Sequence, residues 1–178
     1  PPDCMLPVVA SWMAARTRPF ISMPGCSKKA SSSAASMALM KSGGTQSLSP
    51  KQVDEQLNDL GATVTTTFHR DYGEFKLSCL AEELIDVLPI FYEIIAKPRF
   101  DATRLGFWKH LAVGSVLRRS EDSEQVAQMV FESAVFGPDS AFARQMTLES
   151  ADRITRDDIA AWHKRYVRPV GAHLAVTG

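Results

Sequence analysis

The groups in this 178-residue sequence that could hold a metal or move a proton are four histidines, three cysteines and 20 acidic side chains. The histidines stand at positions 69, 110, 163 and 173. No two of them share the H-x-x-E-H or H-x-x-x-H spacing that turns two imidazoles to one helical face to share a metal. His69, beside Arg70 and Asp71, reads as a turn residue, and His110 and His163 read as helix-surface or helix-packing residues. Cys4, Cys26 and Cys79 are too few and too scattered for a disulfide scaffold or a zinc ribbon. There is no G-x-S-x-G elbow to expose a nucleophilic serine. Gly43-Gly44-Thr45 ends a helix instead of opening one and lacks the lysine of a phosphate loop, so it is expected to be a helix C-cap. Glu121-Asp122-Ser123-Glu124 reads as the acidic start of a helix, and Lys164, Arg165 and Arg168 as cations offsetting the negative end of another. Acid–base catalysis needs carboxylates in a shared cleft, and no pattern places such a pair. The spacing of reactive residues therefore predicts no catalytic constellation.

Composition narrows the class of protein. The 45% hydrophobic and 22% charged fractions are those of an ordinary globular chain. Twenty basic residues balance 20 acidic ones, so no net charge draws the chain to nucleic acid or an anionic membrane. The longest nearly apolar stretch, residues 5–15, is interrupted by Pro7 and Ser11. It falls short of the roughly 20 residues that span a bilayer, and no transmembrane segment is expected.

The elements that must position any site follow from periodicity. Residues 5–15 suit a strand, with Pro7 arguing for an edge or a strand start. Residues 16–33, with Pro19, Pro24, Gly25 and a serine run, read as loop. Met37, Leu39 and Met40 begin a helical face that stops at Gly43-Gly44. Ser49 is an N-cap, Pro50 takes the first helical position and Gln52 completes a capping box. Val53, Leu57 and Leu60 follow at helical spacing, and Gly61 closes that helix. Residues 62–69 and 74–80 form an antiparallel hairpin, the second strand alternating Phe75, Leu77 and Cys79 with Glu74, Lys76 and Ser78. Leu84, Leu88, Phe91 and Ile95 share one side of a helix that stops at Pro98, with Pro89 implying a kink or a displaced start. Asp101 caps a long helix to about Arg119, and Ser123 caps another through Val126, Met129 and Val130 to Gly137-Pro138. Thr155 caps the last helix, with Asp158 at its third position and Ile159, Trp162 and Tyr166 facing inward. Ala172, Leu174 and Val176 alternate as a closing strand. Strands separated by several helices predict an α+β fold, an antiparallel or mixed sheet with helices packed on it.

The order of these elements resembles a known family. The segments MALMKSGGTQSLSPKQVDEQLNDLGATVTTTFHRDYGEFKLSCL, IIAKPRFDATRL and ITRDDIAAWHKRYVRPVGAHLAVTG together resemble the N-terminal α/β unit of the inverzincin peptidases. Pitrilysin, the insulin-degrading enzyme and the mitochondrial processing peptidase belong to that family. The likeness rests on the helix ending in Gly-Thr, the Leu-Gly before a strand and the Arg-Asp-Tyr turn. The Lys-Pro-x-Phe-Asp link and the Tyr-x-Arg-Pro before the last strand complete it. Residues 36–178 match in order, about four-fifths of the chain, whereas residues 1–35 fit poorly. Because the sequence opens Pro-Pro-Asp and ends at Gly178 after an apolar run, it is expected to be one α+β domain, 1–178, from a longer chain. Such a piece is expected to expose an incomplete sheet edge and apolar surface, and to self-associate or be poorly soluble when made alone.

The resemblance also says where chemistry would lie. Active members carry H-x-x-E-H on the helix before Gly-Thr and a further Glu on a later helix. Those positions fall on Ala35, Ala38, Leu39 and Val116, and residues 24–49 contain no His and no Glu. The family cofactor, zinc, is therefore expected to be absent and the chain inactive. Family members pair two homologous halves into a closed chamber around an unfolded peptide. The partners implied are a zinc-bearing homologous subunit or a second half of the same chain, with an extended peptide as substrate. A structural or assembly subunit without a peptidase role, and a piece of an active enzyme whose zinc lies elsewhere, are the alternatives. Peptide adds as a strand beside the first hairpin strand in active members, and the matching residues are Thr65, Thr66 and Thr67. Bacterial periplasm, bacterial cytoplasm and mitochondrion are all compatible with the family.

Overall fold

The structure, a computed structural model, describes residues 7–68, 72–138, 140, 143, 145–169 and 172–177 apart from 15–26, with the backbone alone for 7–14, 27–33 and 68. Among these residues its sheet has four strands, β1 (Pro7–Ala14), β2 (Thr63–Phe68), β3 (Gly73–Leu80) and β4 (His173–Thr177), in the order β2-β3-β1-β4. Every pairing is antiparallel, with Phe68 opposite Gly73, Val9 opposite Ser78 and Ser11 opposite Ala175. Pro7 is the first residue of its strand, a position where proline is tolerated. The strand nevertheless lies in the interior of the sheet and not at its edge. In β3 the expected alternation holds: Phe75, Leu77 and Cys79 are buried and Lys76 is exposed.

Among the described residues seven α-helices accompany the sheet: α1 (Ser27–Ser42), α2 (Pro50–Asp59), α3 (Leu84–Ala96), α4 (Ala102–Arg118), α5 (Ser123–Phe136), α6 (Leu148–Asp152) and α7 (Arg156–Tyr166). The serine run expected as loop is part of α1 from Ser27 onward, and residues 16–26 lie outside the described residues. Serine costs at most about 0.7 kcal/mol per residue against alanine in a helix. Burial of Met37, Leu39 and Met40 one turn further on outweighs that cost. In α2 the capping box is made as read, Gln52 N–H donating to Ser49 Oγ and Ser49 N–H to Gln52 Oε1. Thr155 and Asp158 form a second such box at the start of α7, where Ile159 is buried and Trp162 and Tyr166 are half-buried.

Three local expectations need correction. The N-cap of α5 is Asp122 and not Ser123, its Oδ1 accepting from Glu124 N–H at 3.0 Å and Gln125 N–H at 3.2 Å. A carboxylate can accept both bonds, with the charge favoured at a helix N-terminus. Of the kink or displaced start expected from Pro89, the displaced start is not seen: α3 starts at Leu84 and runs through Pro89, which lies on its exposed side. Its sheet-facing stripe is Val87, Phe91, Ile94 and Ile95, while Leu88 is 43% exposed. Leu84 and Leu88 belong to a neighbouring apolar stripe, about 100° round the helix, that borders an open groove.

The core is closed by a junction between two loops. Gly44 holds φ at 74°, and a Cβ there would meet Leu48 O and Pro50 N at 2.8 Å. This stop lets the chain turn against residues 97–101: Gln46 N–H donates to Lys97 O at 3.0 Å, Arg99 N–H to Gly44 O at 2.9 Å and Asp101 N–H to Gly43 O at 3.3 Å. Thr45 is fully buried; its hydroxyl donates to Glu93 Oε2 on α3 at 2.9 Å and accepts from Leu48 N–H at 3.0 Å. The Ser47 hydroxyl also donates to Glu93 Oε2. Bonds from Ser47 and Thr45 hold the Glu93 carboxyl below the usual carboxylate range.

Thr45→Val leaves Leu48 N–H without its acceptor and removes one donor from Glu93. It is expected to cost about 2 kcal/mol and to lower Tm by about 4–8 °C. A carboxyl with a lowered folded pKa stabilises above its unfolded value, near 4.3, and loses that contribution as pH falls through the folded one. The gap between wild type and variant is therefore expected to narrow below about pH 4, as measured by denaturant melts at a series of pH values.

Candidate functional site

The residues that the resemblance would set at a metal centre, Ala35, Ala38, Leu39 and Val116, sit on α1 and α4, which pack against each other. Helix α1 is also fastened to the edge strand β2, the Thr66 hydroxyl donating to Met37 O at 2.8 Å. Gly73 leaves room for Met37, whose Cε and Sδ would lie 3.0 and 3.2 Å from a Cβ placed there. On this helix Ala35 and Leu39 are inside the hydrophobic core, at 0% and 1% exposure, and Ala38 is exposed. Val116 is half-buried on α4.

Zinc needs lone pairs from about three nitrogen, oxygen or sulfur ligands, with a carboxylate to take the proton of its water. Methyl, isobutyl and isopropyl groups offer none, so the residues at these positions do not fit the metal. Among the described residues no group of three or more His, Cys, Asp and Glu converges on a point. Ser36 Oγ, between Ala35 and Met37, is buried without a hydrogen-bond partner, but a single hydroxyl is not a ligand set.

The other candidate is the edge of the sheet. Strand β2 ends the sheet on one side, as a peptide-adding strand must. Thr65 and Thr67 are exposed there, and Thr66 is half-buried against α1. The structure thus joins the edge strand and the α1 positions through one hydrogen bond. Gly43-Gly44-Thr45 is the C-terminal stop it was expected to be, with Gly43 N–H donating to Leu39 O at 2.8 Å. His69, Arg70 and Asp71 of the hairpin turn, with Cys4 and Cys26, lie outside the described residues. The Cys79 thiol is pushed up by burial and by nearby Glu83, the opposite of what activates a nucleophile.

No family model matches this sequence, and no curated protein matches it. Solved structures nonetheless share its fold. The chain matches the peptidase M16 inactive domain from Pseudomonas fluorescens with a TM-score of 0.82 at 16% identity, over 96% of this chain and 40% of that one. It matches a protease from Helicobacter pylori with a TM-score of 0.78 at 13% identity, over 97% and 41% of the two chains. For the periplasmic protease PqqL from Escherichia coli the TM-score is 0.77 at 14% identity, over 95% and 19%. The chain therefore has the fold of a peptidase M16 inactive domain, the pitrilysin-like α+β architecture that its element order resembles. It spans about two-fifths of the first two proteins and about one-fifth of the third.

His163, read from the sequence as a helix-surface or helix-packing residue, is half-buried and packs. His163 on α7 places Nε2 2.7 Å from Ile95 O at the end of α3, and its ring stands edge-on to Phe100 with centroids 5.6 Å apart. A carbonyl only accepts, so Nε2 carries the proton. No local signal marks this role, because Ile95 is 68 residues away. Burial pushes the His163 pKa below its usual value. The unfolded chain then binds a proton near pH 6.5 that the folded chain resists, so stability falls as pH drops below about 6.5. His163→Gln keeps a donor for Ile95 O and removes the titration. Its stability is expected to depend less steeply on pH between about 6.5 and 5 than that of wild type, in chemical denaturation followed by circular dichroism.

Proposed function

We propose that this chain is a non-catalytic, peptidase-like half-domain that pairs with a zinc-bearing homologue, or with a second half of the same protein, to wall a chamber for unfolded peptide. The observation that carries the reading is the combination of an M16 inactive-domain fold with aliphatic residues at Ala35, Ala38, Leu39 and Val116. In this reading zinc and the general base belong to the partner, and this chain binds and orients the peptide. Main-chain groups of β2 supply the grip, and exposed Thr65 and Thr67 impose little side-chain selectivity. Apolar surface on α4 and α5, including Phe107, Leu111, Val130 and Phe131, is exposed and suits docking of another unit. The larger size of the matched proteins supports a further unit as well.

The purified chain is expected to contain no stoichiometric zinc by elemental analysis and to show no chelator-sensitive cleavage of an unfolded peptide. One tightly bound zinc per chain, with cleavage abolished by chelator, would overturn the reading. Co-purification with an H-x-x-E-H protein supports it, whereas recovery only in a membrane assembly without a peptidase favours a structural subunit.

The edge-strand grip has its own test. Successive residues of a strand turn their N–H groups to opposite sides. Of Thr66→Pro and Thr67→Pro, one removes an outward donor and the other breaks the β2–β3 ladder. The former is expected to weaken binding of an extended peptide about five- to tenfold, the worth of one hydrogen bond, with Tm little changed. Equal affinity in both variants, by fluorescence anisotropy, would count against β2 as the grip.

A further inference from the structure

We draw no further inference here: the strongest candidate, the acidic cavity of about 410 Å³ along α5 lined by Asp122, Glu124 and Glu132, carries nothing, since Asp122 caps α5, Glu132 accepts from Gln128 and nothing else among the described residues points to a ligand.

Discussion

The fold depends on the contact between two short loops, Gly43–Gly44–Thr45 and the link through Pro98 between α3 and α4. Three main-chain hydrogen bonds join them, and the buried Thr45 hydroxyl ties the first loop to Glu93. Phe100, within the link, holds φ at 52°, an uncommon state for a residue with a side chain. It is kept there by its surroundings. Its side chain is in the core, His163 stands against its ring, and Arg156 donates to its carbonyl and to that of Arg99. Helices α1, α3, α4 and α7 are thereby fastened at one point, and each reaches the sheet or the core from there.

That constraint fits the aliphatic character of α1 at Ala35 and Leu39. The helix packs against α4, α6, α7 and β2. Ala35 and Leu39 therefore bury apolar surface, which is favourable and leaves no polar group to satisfy. A histidine at either place would have to bind metal or find a hydrogen-bond partner. Helix α1 is a packing element, and among the described residues β2 and β4 stand at the two ends of the sheet. One of these, β2, is rich in threonine and fastened to α1 by Thr66; the other, β4, presents leucine and valine to an open groove.

Helix α5 inverts the usual pattern in the same spirit. Glu132 is buried on it, while Val130, Phe131 and Val135 are exposed. The Gln128 side-chain amide donates to Glu132 Oε1, which satisfies part of the carboxylate. An apolar face turned outward over a buried acid is poor economy for an isolated domain, and it fits a surface completed by another unit.

What was legible in the sequence was whatever depends on residues close together in the chain. The capping boxes at Ser49 and Thr155, the glycine stops at Gly44 and Gly61 and the β2–β3 hairpin all arise from bonds or torsions within a few residues. Tertiary structure alone decided the rest. Ser123 gave way to Asp122 as a cap by one residue, a choice between two good acceptors that the geometry of the preceding turn settles. Leu88 and Val87 are both apolar, and only the direction from which the sheet approaches α3 tells which is buried. The bond from His163 to Ile95 depends on where helices far apart in the chain come to rest. Periodicity states that a face is apolar, but what covers it is set by long-range packing, which no local pattern contains.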